Sequence, residues 1–445
     1  VTGALAVEAP QHSAAFRRRR FLNWFPLGLT YATFYMGRYN FNVVKHDLGA
    51  TYHLDKTQVG LIATAGFWTY AAAVLFNGPL ADRIGGKRAI LLGAAGAAVL
   101  NLIIGLMFLN GWQSGVLAGM CLLYAANSYF QSFGALSVVK VNAPWFHVRE
   151  RGVFGGMFGI MISLGYSLAL GVGGVVLARA GLPFVFLVPA AAIGVMFVLV
   201  STFVKDTPAH AGFENFETAD AAATDDEPSR LRDVLAIVLG NPVIRRIAAA
   251  EFCTGFVRQG LLLYFFEYLH EVAHVKSGSS VEWWAGNGPT IGGILGGLLC
   301  GWLSDRVFDS RRPPVAFIFY LGQIASLIAL GRTQDPVIAA FLVGLCCLWI
   351  FGVHGMLSGT ASMDFGGRKA AASAAGLLDG IQYVASGFTG FGLGWIIKTW
   401  GWGVWTWALV PFSCCGALIM STLWNEKPQQ ARARPFEPVV QSVES

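Results

Sequence analysis

Apolar runs of roughly 20 residues, the length that crosses a ~30 Å hydrocarbon core, recur along this chain. They fall at about 21–44, 58–80, 89–109, 113–141, 153–177 and 183–204, and then at about 243–269, 283–304, 315–331, 337–358, 370–397 and 402–424. Between the two sets of six lies a polar stretch, Lys205 to Asp233, rich in Asp, Glu, Ala and Thr. Such a segment buries too little apolar surface to order itself and reads as a linker. The pattern predicts a tail at 1–20, a six-helix bundle at 21–204, a linker at 205–233, a second bundle at 234–424 and a tail at 425–445. The fold class expected is therefore an all-α membrane protein of twelve transmembrane helices in two pseudo-symmetric six-helix bundles. The first apolar run follows Arg17–Arg20 and is too long for the core of a signal peptide, so it is expected to remain as the first span.

Composition agrees with lipid as the solvent. The 445 residues are 55% hydrophobic and 13% charged, with a mean hydropathy of +0.56, more apolar surface than one soluble core can bury. Glycine supplies 55 residues, well above the usual ~7%, and small residues let membrane helices approach closely. The net charge of +6 does not point to nucleic acid, because the basic residues are scattered among short loops. Arg17–Arg20, the Arg83/Lys87/Arg88 loop, Arg149/Arg151, Arg245/Arg246, Arg306/Arg311/Arg312, Arg368/Lys369 and Arg432/Arg434 fall on one side of successive spans. The positive-inside rule makes that side cytoplasmic, with both termini and the linker. Seven cysteines lie in apolar stretches without zinc-site spacing and read as packing residues.

The two halves repeat. Gly78-Pro-Leu-Ala-Asp82-Arg83 after the second span recurs as Gly301-Trp-Leu-Ser-Asp305-Arg306 after the eighth. Arg38 in the first span recurs as Arg258 in the seventh, and Arg149-Glu-Arg151 corresponds to Arg368-Lys369, all at offsets of about 220. A duplicated six-helix unit with a site at the interface of its halves is the implied architecture.

Arg38 lies about 14 residues past Trp24 and Arg258 about 12 past Arg246, which places each roughly 18–21 Å into its helix. A mid-helix Arg costs about 2.5–3.5 kcal/mol on insertion scales. Two of them call for a compensating anion, and the bidentate fork fits the oxygens of a phosphate carrying about −1.5 to −2 charges. The competing reading pairs each Arg permanently with a protein carboxylate, for which Glu251 and Asp379 are available. Tyr31 and Tyr35 share the helical face of Arg38 at i, i+4 and i+7, as phosphate donors or as aromatic core. His354, deep in an apolar span, Tyr383 and Gln131 are further candidates for the substrate site, each with a packing or helix–helix bonding alternative. Asp379 is a candidate partner of an arginine, of a substrate hydroxyl or of a coupled proton.

Gly78-Pro-Leu-Ala-Asp82-Arg83-Ile-Gly85-Gly86-Lys87-Arg88 strongly resembles the signature cytoplasmic loop of the major facilitator superfamily. Gly78 permits close helix approach, while Asp82 can pair with arginines and helix ends. With Arg83, Asp305 and Arg306 these residues form a candidate conformational latch. Further resemblance is to the organophosphate:phosphate antiporters, which include glycerol-3-phosphate and hexose-6-phosphate transporters. It rests on Tyr31-Ala-Thr-Phe-Tyr35-Met-Gly-Arg38-Tyr-Asn40-Phe41, on Phe130-Gln131-x-x-Gly134 through Trp145-Phe146 to Glu150-Arg151-Gly152, on Asp206-Thr207-Pro208, on Phe256-Val-Arg258-Gln-Gly260 and on Arg368-Lys369 through Gly376. Departures stand beside it. Tyr39 stands where many relatives have Lys; the glycerol-3-phosphate transporter has Lys at the place of Val74 and a substrate-facing His at that of Ile162.

The resemblance implies a secondary transporter that exchanges an organic phosphate, of the glycerol phosphate, sugar phosphate or phosphoglycerate class, for inorganic phosphate. Arg38 and Arg258 would be its substrate arginines. Two alternatives are a transporter-like sensor of a sugar phosphate and a proton-coupled organic-anion carrier. Nothing resembles a nucleotide loop or a catalytic triad, so no enzyme is expected, nor any cofactor, metal or nucleic acid. The expected partners are the phosphorylated organic anion, inorganic phosphate and the lipid of a bacterial inner membrane, and the chain is expected to act as a monomer.

One topological outcome is testable on these grounds. Ala222→Cys and Ser279→Cys should be labelled by an impermeant thiol reagent from opposite sides of the membrane. Labelling of both from one side would undo the repeat assignment.

Overall fold

The structure, a computed structural model, describes residues 12–147, 150–216, 218, 240–309, 311–361 and 377–426, with the side chains of 151–156 and 359–361 left aside. Expectations placed on Arg149, Arg368, Lys369, residues 1–11, 427–445 and most of the linker lie outside the described residues, whereas 14–20, expected in the first tail, form the start of the first helix.

Among the described residues the chain is helical throughout, without strands. The first half contains α1 (Ala14–Tyr52), α2 (Lys56–Ile84) and α3 (Gly86–Leu109). Next come α4, in two segments (Val116–Gln131 and Phe133–Asn142), and α5, where Arg151–Tyr166 and Gly173–Ala180 are joined by a wide π-turn at Ser167–Val172. α6 (Phe184–Phe203) closes the half. The second half contains α7 (Pro242–Glu271), α8 (Ser280–Val307), α9 (Arg312–Leu330) and α10 (Pro336–His354, widening at Gly355–Ala361). It ends with α11 (377–388, Thr389–Leu393 and Gly394–Trp400) and α12 (Trp405–Ser421).

Helix starts follow local chemistry. Ser13 accepts a hydrogen bond from the Phe16 N–H, Asp55 and Gln58 form a reciprocal capping box, and Asn241 and Asp335 precede a proline at the first helical position. Gly85, at φ +89°, breaks α2 from α3 inside the repeated loop motif, a conformation a side chain resists. The freed N–H of Lys87 then donates to the Asp206 carboxylate at 2.8 Å, an anion at a helix N-terminus.

Seven helices, α2, α3, α5, α6, α9, α10 and α12, carry apolar windows long enough to cross a membrane by length and composition. Of the other five, α4 is interrupted at Ser132, and all carry buried polar side chains: α1 buries Arg38 and Lys45, α7 buries Glu251, Arg258 and Glu267, α4 buries Asn127 and Gln131, α8 buries Glu282, and α11 buries Gln382. Large apolar side chains instead face outward, among them Phe76, Leu122, Leu298, Phe341 and Leu418. Polar inside and apolar outside is the order a lipid solvent imposes.

The halves meet along helices that are equivalent in the repeat. In the α1–α7 pair, Gln259 Nε2 donates to the Tyr39 hydroxyl at 3.0 Å and Asn42 Nδ2 to the Leu262 carbonyl at 3.0 Å, both across 220 residues. The α2–α11 pair is joined by Thr64, which donates to the Gly387 carbonyl at 2.7 Å and accepts from the Phe391 N–H at 3.0 Å. Gly60 and Gly390 touch there with no room for a Cβ on either. Its symmetry counterpart, α5–α8, is joined by Ser167 to Asn287 and by Thr290 to the Ser163 carbonyl.

At the end remote from the Arg17–Arg20 cluster, an ionic seam completes this contact. Lys45 and Glu267 pair at 2.5 Å while almost wholly buried, Lys56 pairs with Glu271 at 2.7 Å, and Lys398 with Asp55 at 2.9 Å. Burial pushes the Asp55 carboxyl upward, but the Lys398 ammonium and the Gln58 N–H outweigh it and hold the group below its ordinary value. At the basic end the described ion pairs stay within one half: Arg20 with Glu150, Lys140 with Asp82, and Arg312 with Asp305.

Removing Lys45 therefore strips a buried carboxylate of its main partner. Lys45→Met should destabilise the protein by about 3 kcal/mol, the low end for such a change, because Lys56 stays 3.5 Å from Glu267. The double variant with Glu267→Met should recover most of the loss. Thermal unfolding of the detergent-solubilised variants checks both expectations.

Candidate binding site between the halves

Arg38 and Arg258 lie at mid-height in α1 and α7, each 2% exposed. Their surroundings differ. Each nitrogen of Arg38 has a partner in the protein: Nε donates to Gln131 Oε1 at 3.0 Å, Nη1 to the Tyr383 hydroxyl at 3.0 Å and Nη2 to the Gln131 carbonyl at 3.4 Å. Its guanidinium also lies 4.3 Å from the Tyr70 ring and 5.3 Å from that of Tyr35. A ladder of buried amides fixes Gln131. Gln131 donates to Asn127, Asn101 donates to the same Asn127 oxygen, and Asn40 donates to Asn101. The Tyr124 hydroxyl closes the arrangement on the Arg38 carbonyl at 2.6 Å.

Arg258 has no such shell. Its Nε and Nη2 are buried without a hydrogen-bond partner, and its guanidinium stands 5.5 Å from the Tyr383 ring. Tyr383 thus lies between the arginines, offering its hydroxyl to one and its face to the other. Among the described residues neither arginine forms an ion pair with a carboxylate. Glu251 instead accepts from Gln382 Nε2 at 3.0 Å and lies 3.3 Å from His354 Nδ1. Permanent pairing with Glu251 or Asp379 is therefore not the arrangement found.

The structure brings Arg38, Arg258, Tyr35, Gln131 and Tyr383 together. Tyr31 is buried one turn away, its ring against Tyr35 and Phe158, so it walls the site. His354 sits lower in the second half with Glu251 and Gln382. Asp379 is half-buried on α11, one turn before Tyr383. Gly78, Asp82, Arg83, Asp305 and Arg306 all lie at the basic ends of α2 and α8, with Arg83 and Arg306 exposed. Sequence reasoning passed over Tyr70, whose signal was its place one turn before Val74, and Gln382, which a bare α11 pattern does not separate from core.

Catalysis finds no nucleophile and base here; what the site offers is donors without acceptors. An orphaned, permanently charged fork beside a second arginine, lined by phenols, has the donor chemistry that suits a small oxyanion. A cation fits elsewhere no better. His46, Glu267 and Glu271 bring ligand atoms within 4.8 Å of one another, but Lys45 and Lys56 hold those carboxylates in ion pairs.

Residues 27–390 match the family described as the Major Facilitator Superfamily. The chain is 25% identical to a probable hexose phosphate transport protein of Chlamydia trachomatis, over 94% of this chain and 93% of that one. It is 25% identical to the glycerol-3-phosphate transporter of Bacillus subtilis, over 93% and 94%, and 27% identical to the membrane sensor protein UhpC of Salmonella typhimurium, over 84% of each. In fold it is similar to a bacterial homolog of the human lysosomal transporter Spinster in an inward-facing, unoccupied conformation. That likeness has a TM-score of 0.72 at 15% identity and covers 93% of this chain and 95% of that one.

Since a point ammonium cannot reproduce a fork, Arg258→Lys should weaken oxyanion binding by more than about tenfold although charge is kept. Arg38→Lys should do the same and also release Gln131 and Tyr383. Titration of the purified variants with inorganic phosphate, followed by tryptophan fluorescence, checks this; wild-type affinity in both would mark the arginines as structural.

Proposed function

The chain belongs to the Major Facilitator Superfamily, as an integral membrane transporter rather than an enzyme, and we propose that it exchanges an organic phosphate for inorganic phosphate by alternating access. The organic phosphate is of the glycerol phosphate, sugar phosphate or phosphoglycerate class. The observation that carries this reading is the pair of unpartnered donors on Arg258, facing a second arginine across the seam of the halves. Relatives named for hexose phosphate and glycerol-3-phosphate transport support the same ligand chemistry.

With the basic loops and both termini in the cytoplasm of a bacterial inner membrane, the ionic seam of Lys45, Lys56 and Lys398 lies outside. This is the arrangement of a carrier closed to the exterior. Phosphate reaching the site bridges Arg258 and Arg38, and Tyr383, which now holds Nη1 of Arg38, gives way. Anion binding is thereby tied to movement of α11 against α1. The loops with Gly78, Asp82, Arg83, Asp305 and Arg306 act as the latch. In the present state Asp82 and Asp305 pair inside their own halves, and the outward-facing state regroups these charges as the cytoplasmic ends close.

Without an anion, two fixed charges must cross a low-dielectric region, so reorientation of the empty protein is slow. Proteoliposomes loaded with inorganic phosphate should take up labelled phosphate at least about tenfold faster than phosphate-free ones, a difference of about 1.4 kcal/mol in barrier. An imposed pH gradient should change little. A sensor, the reading favoured by the likeness to a membrane sensor protein, would bind ligand with little uptake in either preparation. A proton-coupled carrier would follow the gradient and ignore internal phosphate.

A further inference from the structure

Seven residues before Arg258 on α7, Glu251 is fully buried with no Lys or Arg paired to it among the described residues. Arg258 lies two turns along the same helical face, about 10 Å away. Two other side chains touch the carboxyl. Gln382 Nε2 of α11 stands 3.0 Å from Oε2, and His354 Nδ1 of α10 stands 3.3 Å from the same oxygen. Gln382 Nε2 and His354 Nδ1 are themselves 2.9 Å apart. The three atoms form a closed triangle, and its hydrogens must be shared so that each side joins a donor to an acceptor.

Both orientations of the Gln382 amide lead to the same protonation of Glu251. With its nitrogen toward the triangle, the amide donates to Oε2 and to Nδ1. Nδ1 then carries no hydrogen, and its contact with Oε2 is a bond only if Oε2 carries one. With its oxygen toward the triangle, the amide accepts from both neighbours, and again Oε2 carries a hydrogen. An ionised carboxylate satisfies neither arrangement. The Ser358 N–H also faces the carboxyl, and the carbonyl oxygen of a neutral acid still accepts it. A carboxylate without a contacting cation is in addition far costlier to bury than a carboxylic acid.

The fold itself does not require this trio. The positions 220 residues earlier are Tyr31, Gly134 and Ile162, where the Tyr31 ring rests on the glycine with neither carboxyl nor imidazole. Besides His354, the titratable groups around Glu251 among the described residues are Cys253 and Arg258 on α7, Tyr320 on α9, Asp379 on α11 and, beyond Cys253, Cys415 on α12. Of these Arg258 alone is a cation, and the half-buried Asp379 acts on it as well.

We propose that Glu251 and His354 form a proton-binding site in which Glu251 rests as a neutral carboxylic acid, and that this proton leaves Arg258 free to bind an oxyanion. The second clause rests on the phosphate-exchange reading. Loss of the proton from Oε2 through the partly open His354 ring, 19% exposed, places a negative charge two turns from Arg258. At about 10 Å that charge competes with the anion and weakens its binding about tenfold. Anion and proton therefore cross together on both legs of exchange. No net proton moves, and the response to an imposed pH gradient stays small.

The test reads the proton directly. Infrared spectra of the purified full chain in lipid at neutral pH should show the carbonyl stretch of a protonated carboxylic acid, missing from Glu251→Gln and fading from the wild type at alkaline pH. Monofluorophosphate, an oxyanion whose charge stays constant from neutral to alkaline pH, should move that fading to higher pH. By tryptophan fluorescence its affinity for the wild type should fall about tenfold over the same range, whereas Glu251→Gln, uncharged at every pH, should show no such fall. The wild-type spectra and their response to the anion need no variant, so they decide even if Glu251→Gln does not fold. An identical carboxylic-acid band in both proteins, a band indifferent to alkaline pH, or an affinity that falls equally in both overturns the proposal. If the wild type binds neither phosphate nor monofluorophosphate, the phosphate reading fails by itself. The band that depends on Glu251 then still confirms or overturns the proton site.

Discussion

A guanidinium cannot shed its proton, and that fixed charge at mid-membrane is the constraint to which the rest of the bundle answers. The first half answers it from within. Gln131 receives two donors of Arg38, and the amides of Asn127, Asn101 and Asn40 stand behind it in a row that leaves Gln131 little freedom. The second half leaves Arg258 open. This inequality departs from the symmetry of the repeat, because one arginine has each of its nitrogens bonded within the protein and the other has two without a partner. Aromatic rings make the arrangement tolerable: Tyr35, Tyr70 and Tyr383 present π faces to the cations without fixing them as a carboxylate would.

The spans, the duplication and the arginines were legible in the sequence because each leaves a long-range or high-contrast signal. Twenty apolar residues in a row cannot be hidden, and an Arg in their midst is conspicuous. What escaped reading was the choice of partner. Glu251 stands on the same face as Arg258 and was its counter-ion in the competing reading, yet α11 approaches closely at Gly255 and Gln382, with His354 of α10, takes the carboxylate instead. Lys45, which the sequence did not single out, is among the most deeply buried charges, held by Glu267 from the other half. Periodicity reports which face of a helix is covered, but not which neighbour covers it. The break at Ser132 and the π-turns in α5, α10 and α11 were equally silent, because they depend on packing between helices rather than on the composition of one.

The site and the seam are parts of one surface. Tyr39 lies one residue from Arg38 and receives Gln259, the neighbour of Arg258; Asn42 and Lys45 continue the same contact outward. Any rocking of the halves is therefore felt first by the arginines, and any ligand between the arginines bears on the seam. The polar groups of α1 and α7 serve two tasks at once, which is why these helices look least like membrane spans by hydropathy.

The 220-residue spacing of Tyr39 from Gln259 and of Asn42 from Leu262 equals that of Arg38 from Arg258. Each of these positions consequently faces its own copy, as happens only beside a two-fold axis. Two faithful copies would have set phenol against phenol and amide against amide along that line. Divergence gives the Tyr39 phenol an amide donor from Gln259, whereas Asn42 meets a backbone carbonyl that any residue would offer. A chain assembled by fusing two first halves would keep every span and both arginines, but along the two-fold axis it would set Tyr39 against its own copy where Gln259 now donates.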